Sequence, residues 1–249
     1  MSEVKDQRLP CTSTVTGLLP MTEFDGFPKG CLPFLEALGK NNDREWFKEN
    51  KERYEVEVRR PALAFIETMA PSLYKISPHF RTIPKKVGGS LMRVYRDTRY
   101  TKDKTPYKTN IGIQFRHELG RDVHAPGFYV HIQPGGSFIG VGIWRPESKA
   151  LTRIRDFILD NPASWKGAKN YRPFKTHFLL EGESLKRAPR GYPADHPLIE
   201  DLKRKDFIAC SVFGESEVGK SDFHRFAAKR FRQAAPFMRY LCAALEVEF

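Results

Sequence analysis

The stretch TNIGIQFRH, residues 109–117, decides the fold because its side chains alternate between apolar and polar types. Ile111, Ile113 and Phe115 fall on one face of an extended chain, and the side chains between them fall on the other. A period of two residues is typical of a β-strand that buries one face. The stretch therefore predicts a strand with an apolar face on a core and a polar face opposite.

Two stretches downstream repeat the alternation. In GFYVHIQ (127–133), phenylalanine, valine and isoleucine fall on one face, and tyrosine, histidine and glutamine fall on the other. In SFIGVGIW (137–144), aliphatic side chains fall on one face and glycines on the other. The intervening Pro-Gly-Gly (134–136) is typical of a hairpin turn. A further strand is predicted upstream at Ser90–Tyr95. Strands this close in sequence predict an antiparallel meander.

Helical patterns precede and follow these strands. Predicted helices are Pro33–Leu38, Asn42–Arg59 with Asn42 as N-cap, a helix from Pro61 that Pro71 kinks or ends, Glu147–Asp160, Ser164–Ala168, Leu198–Lys203, and Ser221–Leu245 with a kink at Pro236. Strands are also predicted at Phe174–Leu180 and Asp206–Phe213. The predicted class is α+β, an antiparallel meander packed on one face by N-terminal, middle and C-terminal helices. We expect a flexible tail over residues 1–20 and one domain over 21–249.

The composition is that of a globular protein with a strong positive charge. Hydrophobic residues make up 40% and charged residues 29% of the 249 residues, and the net charge is +12. No apolar run reaches the length of a membrane span, and residues 1–19 lack a secretory signal. Cys11, Cys31, Cys210 and Cys242 have no CxxC spacing, which fits a reducing compartment. We therefore expect a cytoplasmic protein without a membrane partner; the oligomeric state is left open.

The positive charge is concentrated in one segment. Residues 81–109 hold nine basic and two acidic side chains, more than half of the net excess. This concentration favours an anion site or a nucleic-acid surface, with a solvated basic loop as the simplest alternative. Arginine binds carboxylate and phosphate groups through paired hydrogen bonds, and lysine adds a point charge. The predicted ligand-binding residues are Arg93, Tyr95, Arg96, Arg99, Lys104, Lys108, Asn110, Gln114 and His131.

The polar face of the predicted sheet lies beside this basic segment. It collects Asn110, Gln114, Tyr129, His131 and Gln133, and glycines at 140 and 142 leave room between them. We predict a pocket floored by this face and rimmed by the basic segment, the alternative being a face simply exposed to water. The candidates for proton transfer are His131, Tyr129 and Tyr107, but the sequence does not decide whether the protein is an enzyme.

Two other patterns carry less weight. His117, His124 and His131 lie seven residues apart, which matches no metal-ligand spacing, so no metal site is predicted. Gly214–Ser221 matches the phosphate-loop pattern GxxxxGK[ST]. Only 28 residues follow it, too few for the further strands of such a site, and two glutamates occupy the loop. We interpret it as a chance match and predict no cofactor.

Several short motifs together resemble a known family. They are FDGF (24–27), NNDREWF (41–47), RVYRDTR (93–99), KDKTPYK (102–108), PGFY (126–129) and GIW (142–144). This combination is similar to a widespread bacterial and fungal family catalogued as domain of unknown function 2461. The resemblance runs from about Phe24 to the C-terminus and implies a single-domain α+β protein. It implies no activity, and Gly214–Ser221 does not belong to the family pattern.

Two functional hypotheses follow from these residues. The first is a pocket, with or without catalysis, for a small molecule that bears phosphate or carboxylate. The alternative is a nucleic-acid or ribonucleoprotein-associated protein that binds through the basic loop and the last predicted helix, which carries Arg225, Lys229 and Arg232. Basic side chains that converge over a concave face would favour the first, and a flat basic stripe would favour the second. A scaffold role is a third interpretation.

Overall fold

The computed structural model describes residues 24–120 and 126–249. At its centre is a five-stranded sheet, formed by β1 (Ile111–Arg116), β2 (Gly127–Ile132), β3 (Phe138–Ile143), β4 (Leu179–Glu181) and β5 (Phe207–Val212). The order is β1-β2-β3-β5-β4, and each neighbouring pair is antiparallel. The predicted meander is confirmed for β1 to β3, and β5 inserts between β3 and β4. The predicted tail, with Cys11, lies outside the described residues.

Helices pack on this sheet and complete the α+β class that the sequence predicts. They are α1 (Cys31–Lys40), α2 (Arg44–Glu49), α3 (Lys51–Arg53), α4 (Arg60–Tyr74), α5 (Ser148–Asp160), α6 (Pro162–Asn170), α7 (Arg172–His177), α8 (Ile199–Leu202), α9 (Phe223–Gln233) and α10 (Ala235–Ala244). A π-helical segment, Tyr54–Arg59, joins α3 to α4. Within the described ranges, none of these helices is both long and apolar enough to cross a bilayer.

One face of the sheet forms the core. The register pairs Ile113 with Val130, and Val130 with Ile139, so the apolar side chains of three strands share one face. All three are fully buried. Phe128 on the same face packs on Phe231 of α9, with ring centroids 4.6 Å apart. The alternation in the sequence thus identifies the buried face correctly.

The predicted strand Ser90–Tyr95 is wrong. This segment forms only isolated bridges, Leu91 to Ile113 and Tyr95 to Tyr107. Leu91 and Tyr95 are four residues apart, whereas their partners Ile113 and Tyr107 are six residues apart. The two segments therefore cannot stay in register between the bridges. The mismatch breaks the ladder beside β1 into two separate bridges.

The predicted N-cap is also wrong by one residue. The carboxylate of Asp43 accepts hydrogen bonds from the backbone N–H groups of Glu45 and Trp46, both at 2.9 Å. Asn42 instead donates to the carbonyl of Tyr107 and accepts from its N–H, each at 3.0 Å. Asn42 therefore ties the first helices to the chain that leads into β1.

The predicted strand Phe174–Leu180 is mostly the helix α7, followed by the short β4. Phe174 and Phe178, four residues apart, stack with centroids at 5.2 Å, and Phe174 also stacks on Phe237 at 4.9 Å. This aromatic packing overrides the strand pattern. The last predicted helix divides in two at Ala234, and Pro236 lies in the first turn of α10 rather than at a kink.

Candidate functional site

A cavity of about 330 Å³ lies on the face of the sheet opposite the core. We call it the open-face pocket. Its lining consists of Met92, Gln114, Gly127, Tyr129, His131, Phe138, Gly140, Val141, Gly142, Trp144, Glu181, Ile208 and Cys210. A mostly apolar lining with a few polar groups is typical of small-molecule sites.

The strand register explains how these residues meet. One row across the sheet runs Gln114, Tyr129, Gly140, Cys210, because each is paired with the next on the neighbouring strand. A second, parallel row runs Arg116, Gly127, Gly142, Ile208, Glu181. The polar or basic ends of both rows lie on β1, and the glycines lie in the middle. The pocket is therefore a shallow groove over the glycines, bounded by larger side chains.

The position of the pocket agrees with the predicted polar face, but its lining differs from the predicted one. Gln114, Tyr129 and His131 line the cavity, while Arg and Lys side chains are absent from the lining that the described residues provide. The sequence-based prediction did not include the apolar residues of the lining. Period-two alternation in SFIGVGIW already places Phe138 and Trp144 on the face of the glycines, and this signal could have found them. Glu181 could not be found, because β4 was not predicted at its observed place.

His131 is held on both ring nitrogens. Its Nε2 lies 2.9 Å from Oε1 of Gln133, so Nε2 carries the proton and Nδ1 is the acceptor. The hydroxyl of Tyr129 donates to Nδ1 at 3.0 Å, and the amide of Asn110 lies 3.4 Å from the same atom. Phe138 stacks on the imidazole with centroids 4.6 Å apart. These contacts fix the ring and its tautomer.

The protonation states of this pair follow from burial. Burial lowers the pKa of His131 below its ordinary value, against a smaller opposing effect of the Gln133 hydrogen bond. Burial raises the pKa of Tyr129 to about 12. Both groups are therefore neutral at pH 7, and transfer of the phenol proton to the imidazole is strongly uphill. The pair therefore presents fixed, neutral hydrogen-bonding groups at the cavity.

Gln114 lines the β1 end of the pocket, and Arg116 lies beside it outside the lining. Nε of Arg116 donates to Oε1 of Gln114 at 3.1 Å. Because that oxygen is engaged, the amide N–H groups of Gln114 are left to donate to a guest in the cavity. Arg116 itself lies beside the lining residue Gly127 in the register. The β1 end therefore combines a neutral donor with a guanidinium behind it.

The opposite end of the pocket is apolar apart from one carboxylate. Burial and, to a smaller extent, the nearby carboxylate of Glu181 together raise the pKa of the Cys210 thiol to about 12. The thiol is thus protonated at neutral pH and behaves as a small apolar group. Ile208 and Trp144 complete this end.

Three glycines on the open face, at positions 112, 140 and 142, differ in whether their surroundings require glycine. At Gly112 an added Cβ would lie 2.7 Å from the hydroxyl of Tyr129, so its absence admits that hydroxyl. At Gly142 the φ angle is +111°, and a Cβ would lie 2.0 Å from the carbonyl oxygen of Phe207. At Gly140 the nearest atoms are at ordinary contact distances of 3.5 Å or more. The described surroundings therefore do not require glycine at position 140.

Two cations of the basic segment are held within it. Arg99 makes a two-pronged contact with Asp97, with Nε to Oδ1 at 2.9 Å and Nη2 to Oδ2 at 2.7 Å. These hydrogen bonds hold the pKa of Asp97 well below its usual range. Nζ of Lys104 donates to the carbonyl of Thr98 at 2.8 Å.

Arg96 is satisfied in the same way. Its guanidinium donates to Asp103 and to the hydroxyl of Thr105. The contact lowers the pKa of Asp103 to about 2, with smaller contributions from Thr105. The residues of the loop thus bind one another, which explains the two acids within a basic run.

Arg93 and Lys108 differ from these three cations. Burial, and then the charge of Arg93, lower the pKa of Lys108. Among the described residues neither side chain has a carboxylate partner within salt-bridge distance. They do not line the open-face pocket. Their assignment to anion binding stays a prediction.

The structure places Tyr107 and Tyr95 against α2. Tyr107 is 5% exposed and stacks on Phe47, with centroids 4.1 Å apart. The ring centroid of Tyr95 lies 5.4 Å from that of Tyr107 and 6.4 Å from that of Phe47. Tyr107 thus contributes to aromatic packing, away from the lining of the cavity where Tyr129 and His131 meet.

The phosphate-loop pattern lies in a short connection. Glu215–Glu217 forms a turn of 3-10 helix, and Nζ of Lys220 pairs with Glu217 at 2.5 Å. The carboxylate of Glu215 accepts from the N–H of Gly135 at 2.7 Å. The absence of a cofactor stays a prediction, as does the absence of a metal. In the two described ranges no group of three or more metal-ligating side chains is found, and His124 lies outside them.

Comparison with protein families gives a match over most of the chain. No curated protein and no solved structure matches the chain. A family model described as "Conserved hypothetical protein (DUF2461)" matches residues 30–240, which is most of the chain and agrees with the resemblance of its motifs. The chain therefore belongs to the DUF2461 family of conserved hypothetical proteins.

Proposed function

We propose that the protein binds an acidic small molecule, one that bears carboxylate or phosphate, in the open-face pocket. The observation that carries the proposal is the coincidence of a 330 Å³ groove with hydrogen-bonding groups fixed at one end. Preorganised polar groups beside an apolar floor support recognition, because the guest orders few protein side chains on binding.

The acidic group belongs at the β1 end of the groove. The amide donors of Gln114 line that end, with the guanidinium of Arg116 behind them, whereas the only carboxylate in the lining that the described residues provide is Glu181, at the β4 end. Hydrogen bonds to charged groups are stronger than those between neutral groups. An acid bound in this orientation gains at one end and avoids repulsion at the other.

The basic loop supports this proposal less directly. Arg96, Arg99 and Lys104 are already engaged within the loop, so an anion would have to displace those contacts. Arg93 and Lys108 remain available to raise the local positive potential. Nucleic-acid binding stays an alternative prediction. The last helices pack on the core face, which does not favour a basic stripe continuous with the groove.

The test is the dissociation constant for naphthalene-2-carboxylate, measured by isothermal titration calorimetry, against naphthalene-2-methanol as its uncharged analogue. Wild type should bind the acid more tightly. Arg116→Gln should weaken binding of the acid about threefold, because it removes the positive charge behind Gln114, and leave the alcohol unaffected.

Arg99→Gln is the matched control, because it removes the same charge from the basic loop. It should change neither dissociation constant. If Arg99→Gln weakens acid binding and Arg116→Gln does not, the site is the loop and the proposal is wrong. Binding of single-stranded RNA that weakens steeply with salt, without any binding of the acid, would favour the nucleic-acid alternative.

A further inference from the structure

Gly140 stands at the centre of the open-face pocket without a visible need to be glycine. It is not among the positive-φ residues of the described chain. An added Cβ would lie 3.5 Å from Phe138 and 3.6 Å from Tyr129, which are ordinary contacts. Glycine is unfavourable inside a strand because it has no side chain to pack. A glycine that neither the backbone nor its neighbours require marks close approach by another molecule.

Several side chains around Gly140 are aromatic. The rings of Tyr129 and Phe138 lie 5.9 Å apart at 53°, with the position of the missing Cβ between them. The imidazole of His131 stacks on Phe138 at 13°. The indole of Trp144 and the thioether of Met92 also line the cavity. Aromatic walls attract the edges and faces of a further ring, and thioethers also favour aromatic contacts.

We propose that the acidic ligand is an aromatic acid, whose flat ring lies on the backbone of Gly140 between Tyr129, Phe138 and Trp144. Gly140 is then the residue that sets the ligand class. A flat ring can lie against the strand backbone and offer its faces and edges to the aromatic side chains, contacts that a saturated ring of the same size lacks. The inference rests on the proposed function and names its substrate class.

The test compares naphthalene-2-carboxylate with decahydronaphthalene-2-carboxylate, its saturated counterpart, by calorimetry on the full chain. Wild type should bind the aromatic acid about fivefold more tightly, the order expected for a favourable aromatic pair. Gly140→Val should weaken binding of the aromatic acid at least tenfold, because the branched side chain occupies the floor.

Folding controls accompany these measurements. Valine suits a strand and its Cβ has room, and a melting temperature of Gly140→Val close to that of wild type shows that the variant is folded. Gly140→Ala adds one methyl group and should give a smaller loss of affinity, about threefold, with the same melting temperature. Gly136→Val, at a turn position with open space around it, should leave binding unchanged.

The two levels of the proposal fail differently. If both acids bind wild type equally, or if a folded Gly140→Val variant binds the aromatic acid as wild type does, the aromatic inference is overturned while acid binding survives. If neither acid binds wild type, or if Arg116→Gln changes nothing, the proposed function is itself overturned. If Gly140→Val binds the aromatic acid more weakly than wild type and Arg99→Gln binds it as wild type does, both the aromatic inference and the proposed function are supported.

Discussion

The two faces of the sheet use the same strands for different purposes. On the core face, residues such as Ile113 and Phe128 are fully buried and each contacts helices or neighbouring strands. On the open face, glycine at 140 leaves a gap, and polar groups at 129 and 131 are fixed by each other. The first arrangement lowers the free energy of the folded chain. The second keeps space and hydrogen-bonding capacity at some cost to packing, as expected of a binding surface.

Truncation of one aromatic ring on each face should give the largest difference in the free energy of unfolding. Phe128→Ala should lower the free energy of unfolding by about 3–5 kcal/mol, because Phe128 is fully buried against Phe231 and Phe80. Phe138→Ala, on the open face, should cost about 1 kcal/mol. Urea denaturation at 25 °C measures both. Equal losses would contradict the distinction between the faces.

The two glycines of β3 sharpen the comparison within one face. Gly142→Ala should cost about 2 kcal/mol or more, since alanine at φ +111° is strained and its Cβ meets the Phe207 carbonyl. Gly140→Ala should stay within about 0.5 kcal/mol of wild type. The same denaturation experiment applies. A costly Gly140→Ala would mean that the fold, and not a ligand, requires glycine there.

The pH dependence of binding tests the polar part of the open face. His131 is neutral in the free protein at pH 7 because burial lowers its pKa below the usual 6.5. A bound anion favours the imidazolium, raises that pKa and draws in a proton. Affinity for naphthalene-2-sulfonate, which stays charged throughout, should therefore rise about threefold from pH 8 to pH 5.5.

The matched variant for this experiment is His131→Gln, which should give a flat profile over the same range. Burial raises the pKa values of Tyr129 and Cys210 to about 12, so neither group changes its protonation in this window. An affinity that falls as the pH is lowered would place the anion away from His131.

The smallest expected effect concerns the carboxylate at the β4 end. Glu181→Gln removes a negative charge that faces the acid across the groove, and should strengthen binding of naphthalene-2-carboxylate by about twofold. Glu183→Gln, two residues further and paired with Lys205, is the control and should have no effect. Weaker binding in Glu181→Gln would show that this carboxylate contacts the ligand through a donor.

The sequence predicts the sheet well where one face is buried. In residues 111–116 and 127–132 the period of two is set by burial alone, so the strands and their core face follow directly. It fails at Phe174, where contact with Phe237, more than 60 residues away, selects a helix. No local pattern contains that information.

The candidate site was predictable in position but only partly in composition. Gln114, Tyr129 and His131 follow from alternation, and the charge of residues 93–108 drew attention to an anion. The sequence cannot show that Arg99 and Arg96 are satisfied by Asp97 and Asp103, because the pairing depends on loop geometry. It also cannot show that β5 brings Ile208 and Cys210 beside β3.

The most direct test of the account is the location of ligand binding by two-dimensional amide NMR on the isotopically labelled full chain, titrated with naphthalene-2-carboxylate. We expect shift changes concentrated at the amides of Gln114, Tyr129, His131, Gly140 and Ile208, on four adjacent strands of the open face. Changes confined to residues 96–105 of the basic loop, or no changes at ligand concentrations in the millimolar range, would contradict the claim that the open face is the binding site.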